Sequence, residues 1–68
     1  MKEKLILKNS LKEKRMEKGL SQIDLAYLVG TTRQTIYAIE KQIFLPTVKL
    51  ALLLSVALDC KVEDLFYF

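Results

Sequence analysis

Only about 60% of the unfolded surface is buried by a chain this short, and that limit governs everything 68 residues can form. One small core fits, and residues 1–68 are expected to make a single domain. Yet 51% of the residues are hydrophobic, and the mean hydropathy is +0.19. That is more apolar surface than one small core needs. Either the core is unusually dense, or some apolar surface is kept for a second chain. Charged residues at 28% make the composition globular rather than disordered. Two glycines and one proline leave little turn chemistry for an all-β domain, so helices are expected.

Several function classes fall away at once. Cys60 is the single cysteine, so an internal disulfide and a cysteine-rich metal site are both excluded. Histidine is absent, which removes the commonest metal ligand and general base. No cofactor, metal site or small-molecule ligand is expected. The lone thiol suits a reducing compartment. The first fifteen residues carry a short apolar patch between charges, with no signal-peptide core. The longest apolar stretch, Val48 to Leu58, is broken by Lys49 and falls short of the roughly 20 residues of a membrane span. A soluble, cytoplasmic protein is expected.

The charge is uneven. The net charge is +3 and the pI about 9.1. Residues 1–18 hold seven Lys/Arg and three Glu, and the remainder four basic and five acidic residues. A basic end opposite a mildly acidic one suggests a face turned to a polyanion, although a lysine-rich solvated helix gives the same pattern.

Along the chain, Leu5 and Leu7 share one face of Lys4–Lys8 and Ile6 the other, which reads as a short strand. Ser10, with Glu13 three residues on, reads as a capping box. The helix it opens runs to about Lys18 and stops at Gly19, with Leu11 and Arg15 on one side and Met16 near them. Ser21 and Asp24 open a second helix, in which Ile23, Leu25, Ala26, Leu28 and Val29 follow at helical spacing until Gly30. Thr32 caps a third helix, from Arg33 to about Lys41, with Ile36 and Ile39 inward. Thr47, after Pro46, caps a fourth, Val48 to Leu58. A short turn or helix, Val62 to Leu65, precedes the aromatic tail Phe66-Tyr67-Phe68, a strand partner for Leu5 to Leu7.

The second and third helices, joined by a tight glycine-containing turn, form a helix-turn-helix over residues 21–41. The steep crossing needs a small residue, and Ala26 supplies it. The left-handed turn needs glycine, and Gly30 follows four residues later. The outer face of the third helix then carries Arg33, Gln34, Tyr37, Ala38 and Lys41.

The stretch LSQIDLAYLVGTTRQTIYAIEK, followed by LPTVKLALLLSVALDCKVEDLF, resembles the Cro/C1-type (xenobiotic-response-element type) helix-turn-helix repressors of phages and bacteria. The likeness runs from Leu20 to Phe66 and rests on many positions in order: Ser21-Gln22, Leu25-Ala26, Gly30, Arg33-Gln34-Thr35-Ile36, Ile39-Glu40, Pro46-Thr47 and Glu63-Asp64-Leu65-Phe66. It implies a mainly α, five-helix, lambda-repressor-like DNA-binding domain. In a compact dimeric subgroup the two termini add a small antiparallel sheet.

The resemblance also implies roles. The second helix of the motif enters the major groove and reads bases. Arg33 then suits guanine O6/N7 and Gln34 adenine N6/N7, with Tyr37 and Ala38 on the next exposed turn. Gln22 matches a phosphate-gripping glutamine, and Thr32, Thr35 and Lys41 fall where phosphate contacts recur. Glu40 matches a structural glutamate, with Arg15 as its expected ion-pair partner. Arg33 and Gln34 have blander readings too, as a surface charge and an unpartnered helix-start residue.

The chain departs from the pattern after the third helix. Gln42-Ile43-Phe44-Leu45 stands where a polar, basic loop is usual. Backbone N–H groups there, or Lys12 or Lys14 in the first helix, are the expected substitutes for the missing phosphate contact. Leu53 and Val56 occupy positions usually polar. They are either extra core or, with Phe66 and Phe68, a dimer surface. Two readings therefore stand: a regulator, most simply a repressor, working as a homodimer on a palindromic operator, and an antitoxin-like or anti-repressor interaction module. An enzyme fits poorly, since no nucleophile–base pair, metal set or phosphate loop is present.

Overall fold

A computed structural model describes residues 5–68; residues 1–4, with Lys2 and Lys4 of the basic end, lie outside the described residues. The order is β1 (Lys8–Asn9), α1 (Leu11–Glu17), α2 (Gln22–Val29), α3 (Arg33–Glu40), α4 (Val48–Ala57), α5 (Val62–Leu65) and β2 (Phe66–Tyr67). The two strands pair antiparallel, Lys8 opposite Tyr67 and Asn9 opposite Phe66. The five helices and the terminal sheet match expectation, but the N-terminal strand sits later than Leu5 to Leu7. Pairing runs through Lys8 and Asn9, and the Ser10 amide extends it to the Leu65 carbonyl.

Side chains set most helix boundaries. The Ser21 hydroxyl accepts from the Asp24 amide at 3.0 Å, and the Asp24 carboxylate accepts from the Ser21 amide at 3.0 Å. This closes the expected capping box. Thr32 caps α3 through the Thr35 amide at 3.2 Å, and Thr47 caps α4 through the Leu50 amide at 3.1 Å. Helix α2 ends where Gly30 turns left-handed at φ 76°, so that the Thr31 amide reaches back to the Ala26 carbonyl at 2.9 Å.

The start of α1 departs from the expected Ser10–Glu13 box. Ser10 makes no side-chain cap. Its hydroxyl donates instead to the Asp64 carbonyl at 2.7 Å, and its amide to the Leu65 carbonyl at 2.9 Å. Asn9 takes over the cap, its Oδ1 accepting from the Leu11 amide at 3.1 Å. Pairing with the C-terminal segment has claimed Ser10, and the neighbouring amide side chain fills the gap.

Leu11, Leu25, Ala26, Val29, Ile36, Ile39, Leu54, Leu58 and Leu65 form one buried cluster, with Leu20, Leu50, Ala57, Cys60 and Phe66 packed against it. Each fully buried leucine or isoleucine contributes about 1.5–3 kcal/mol of transfer free energy. Not every residue at helical spacing is in this core. Ile23 and Leu28 are exposed, and Tyr27 beside them is 85% exposed. Met16 also faces solvent. Helix α2 packs against α3 and α4, and among the described residues its second apolar stripe stays exposed. Among the described residues, no helix is long and apolar enough to cross a membrane.

Candidate nucleic-acid interface

Burial of Ile36 and Ile39 fixes the rotation of α3 about its axis. That leaves Arg33, Gln34 and Tyr37 exposed and Ala38 half-buried, with Lys41 exposed just past the helix. Arg33, Tyr37 and Lys41 follow at i, i+4 and i+8, one stripe of the helix surface. The Lys41 ammonium lies 5.8 Å from the centre of the Tyr37 ring, within cation–π range.

Beside this stripe lies a concavity of about 310 Å³, lined by Lys12, Arg15, Gln22, Arg33, Tyr37, Glu40 and Lys41. It gathers expected contact residues from α1, α2 and α3 in one place. Its floor is the Arg15–Glu40 ion pair anticipated from the sequence. Arg15 Nε donates to Glu40 Oε2 at 2.7 Å, and Arg15 Nη2 to Oε1 at 3.3 Å. The two side chains are 11% and 4% exposed. Arg15 Nη1 also donates to the Leu20 carbonyl at 2.9 Å. The pair is internally neutral, so Lys12, Arg33 and Lys41 leave the rim positive.

Gln22 connects floor to rim. Its Nε2 donates to Glu40 Oε1 at 3.1 Å, and its Oε1 accepts from Arg33 Nη1 at 3.3 Å. An amide has two N–H donors, so one remains for an outside acceptor. The negative Glu40 fixes which way the amide points, and the acceptor end then holds Arg33. Thr32 and Thr35 lie at the start of α3, their hydroxyls 3.1 Å apart. Gln34 stands exposed outside the concavity.

Three expected contributions are placed differently. Lys14 lines a separate concavity with Ser55, Val56, Asp59, Cys60, Lys61 and Asp64, so Lys12, not Lys14, stands beside α3. The amides of Ile43 and Phe44 donate to the Ala38 carbonyl at 2.9 and 3.2 Å. They terminate α3 and are not open to a phosphate. Phe66 is half-buried against the core, whereas Leu53, Val56 and Phe68 are exposed. Burial pushes the Cys60 thiol above its ordinary range, which keeps it protonated and weakly nucleophilic at neutral pH. Among the described residues no group of three or more His, Cys, Asp or Glu could hold a metal ion.

One feature of the site leaves no mark in the sequence. Asn9 Nδ2 donates to the Ile39 carbonyl, in the last turn of α3, at 2.9 Å, and Gln42 Nε2 donates to the Leu7 carbonyl at 3.0 Å. The N-terminal segment therefore grips the far end of α3. The sequence pattern points to Ser10 as the cap and gives no sign of a bond from Asn9 to a residue 30 positions away.

Comparisons with known proteins bear on the fold and the family. A helix-turn-helix family model matches residues 11–65. An uncharacterized helix-turn-helix-type transcriptional regulator of Bacillus subtilis, YgzD, is 46% identical over 90% of this chain and 92% of its own length. A regulator of the same description from Methanocaldococcus jannaschii is 44% identical, covering 91% of this chain and 94% of its own. Among solved structures, the restriction-modification controller protein C.AhdI of Aeromonas hydrophila superposes with a TM-score of 0.75 at 35% identity, over 79% of this chain and 82% of that one. Packing, turn geometry and sequence likeness thus converge: the chain belongs to the Cro/C1-type helix-turn-helix family of transcriptional regulators, a DNA-binding and non-enzymatic family.

Proposed function

We propose that the protein is a sequence-specific double-stranded DNA-binding repressor that acts as a homodimer on a palindromic operator. The observation that carries this reading is the concavity beside α3, where Lys12, Gln22, Arg33, Tyr37 and Lys41 from three helices share one positive rim. Helix α3 enters the major groove. Arg33 and Gln34 read base edges, and Tyr37 and Ala38 meet the next bases. Lys12, Gln22, Thr32, Thr35 and Lys41 hold the phosphates that set register. Gln22 serves both purposes, with one spare N–H for phosphate while its carbonyl holds Arg33.

Dimerisation accounts for apolar surface left over from the core. Val56 is 77% exposed on α4, with Leu53 one turn before it and Phe68 in the tail. Binding of a palindrome requires that a second copy covering them set two α3 helices about 34 Å apart, one turn of B-DNA. Phe66, half-buried against the core, offers less free surface to such a contact than Phe68. Repression is steric, the dimer occupying a promoter.

A protein-interaction reading draws on Ile43, 74% exposed, and on the bare face of α2. Selection of bound DNA from a random pool, at fixed salt and with the assembly mass measured, separates the two. A palindromic consensus that Arg33→Ala/Gln34→Ala abolishes supports the repressor. Weak, sequence-independent binding untouched by that double variant refutes it.

A further inference from the structure

We propose that Asn9 is a positioning residue for DNA reading: it clamps the C-terminal end of α3 and ties the attitude of that helix to the terminal sheet. The inference rests on the reading of α3 as the base-contacting helix. Two side-chain bonds and a strand pairing meet at this one residue. Oδ1 accepts from the Leu11 amide at 3.1 Å, starting α1. Nδ2 donates to the Ile39 carbonyl at 2.9 Å, in the last turn of α3. Its backbone pairs with Phe66 of β2.

The position of the clamp matters as much as its strength. The N-terminal end of α3 is held by the Thr32 cap and by the Gln22–Arg33 bond. Its inner face is held by Ile36 and Ile39 in the core, and its last residue, Glu40, by Arg15. Apolar packing of two side chains on one face fixes depth but resists tilt weakly, because dispersion contacts are non-directional. Directional bonds at both ends remove that freedom, the Asn9 bond adding to the Arg15–Glu40 pair at the C-terminal one. Gln42, at φ 61°, reinforces the same end through the Leu7 carbonyl at 3.0 Å. No residue other than asparagine or glutamine offers one neutral side chain with both the acceptor for Leu11 and an N–H of amide geometry for Ile39. The shorter asparagine also suits the cap.

A small tilt of α3 displaces its outer side chains relative to base edges, while phosphate contacts through long lysines adjust. Loss of the clamp therefore lowers sequence discrimination more than general DNA affinity. The sheet-borne tail and the base-reading helix are joined through this residue, so anything that reseats β2 is felt at α3.

The test is Asn9→Asp, which keeps the acceptor for Leu11 and loses the donor to Ile39. Wild type and variant are titrated, as full-length protein, against the duplex selected by the wild type and against a scrambled duplex. Titrations are run at a temperature where circular dichroism shows both fully folded. The expected result is a loss of about ten-fold on the selected duplex, the size of one directional bond, with a change of less than about two-fold on the scrambled one. A repeat selection returns a degraded consensus. If Asn9→Asp does not fold, Asn9→Ser is used in the same way, since its hydroxyl keeps the α1 cap but is too short to span to Ile39. A lower melting temperature with unchanged discrimination overturns the proposal, because that is the mark of a purely structural residue. Wild-type protein that selects no consensus overturns the base-reading assignment and this inference with it; an intact consensus with an unaffected Asn9 variant overturns this inference alone.

Discussion

Arg15 on α1 and Glu40 at the end of α3 meet as a buried ion pair, with Nε 2.7 Å from Oε2. Every remaining bond of the pair serves the motif: Arg15 holds the Leu20 carbonyl just before α2, and Glu40 holds Gln22 at its first position. The pair therefore locks three helices through one neutral unit. Removing one partner leaves an uncompensated buried charge, so Glu40→Ala is expected to cost about 3–5 kcal/mol in a urea titration. The reversed pair, Arg15→Glu with Glu40→Arg, should be more stable than either single change. It should still fall short of wild type, since a glutamate at 15 cannot donate to Leu20. Purely additive losses in the double variant rule out the pairing energy.

Gly30 gives a cleaner measure of backbone strain. A Cβ added there meets nothing within 4 Å, yet the backbone stands at φ +76°. Gly30→Ala therefore tests conformation without collision, and a loss of about 1–2 kcal/mol is expected. Gly30→Asn, which tolerates this region better, should recover part of it. Equal stability of all three, read from chemical denaturation, contradicts the strain argument.

The parts of this molecule that were legible share a property: their cause is local or is carried by a dense pattern. Ser21 with Asp24, Gly30 and Thr32 each act within a few residues, and Arg15–Glu40 was legible because Glu40 matches the structural glutamate that the family resemblance implies. The parts that were not legible depend on which surface another element happens to cover. Ile23 and Leu28 have helical spacing as good as that of Leu25 and Val29, and only the placement of α3 and α4 decides that the first pair stays bare. Ser10 and Glu13 satisfy the capping pattern, but the bond from Ser10 to Asp64, 54 residues away, overrides it. The role of Asn9 is likewise non-local. At the site, the residues that line the concavity beside α3 could be named from the sequence, whereas the Gln22 bridge and the occupied amides of Ile43 and Phe44 required the folded chain.

Acid sensitivity should report on the α2 cap. The Ser21 backbone N–H, and then its hydroxyl, hold the Asp24 carboxyl below its ordinary value of 3.8. A carboxylate with a lowered pKa contributes stability above its unfolded value, and that contribution is lost as pH falls through the folded one. Wild type should therefore weaken relative to Asp24→Asn as pH drops below about 4. Melting curves of the two proteins should converge in acid and separate toward neutrality. A difference that is constant with pH removes Asp24 as the source.

Phosphate and base contacts should separate by salt. Lys12→Ala and Lys41→Ala are each expected to weaken binding about equally on all duplexes and to reduce the slope of log K against log salt by about 1. Arg33→Ala should instead cost about 1–3 kcal/mol on the selected operator and relax the preference at one base pair. If Lys12→Ala leaves the slope unchanged, α1 does not reach the backbone.

The surplus of apolar residues supplies the last test. Val56 is 77% exposed beside a concavity lined by Lys14, Asp59, Cys60 and Lys61. A lysine there adds charge where a monomer already tolerates it, so Val56→Lys should leave the fold and the melting curve of dilute protein nearly unchanged. Within a two-fold contact the same change places two like charges together without compensation. The variant should sediment as a monomer at concentrations where wild type is dimeric. It should bind a full palindrome no better than a half-site, because one α3 helix then works alone. Wild-type protein that stays monomeric at high micromolar concentration, or a Val56→Lys variant that still dimerises, moves the interface off α4. The excess oil in so short a chain would then need the bare face of α2, with Tyr27 at its centre, as its explanation.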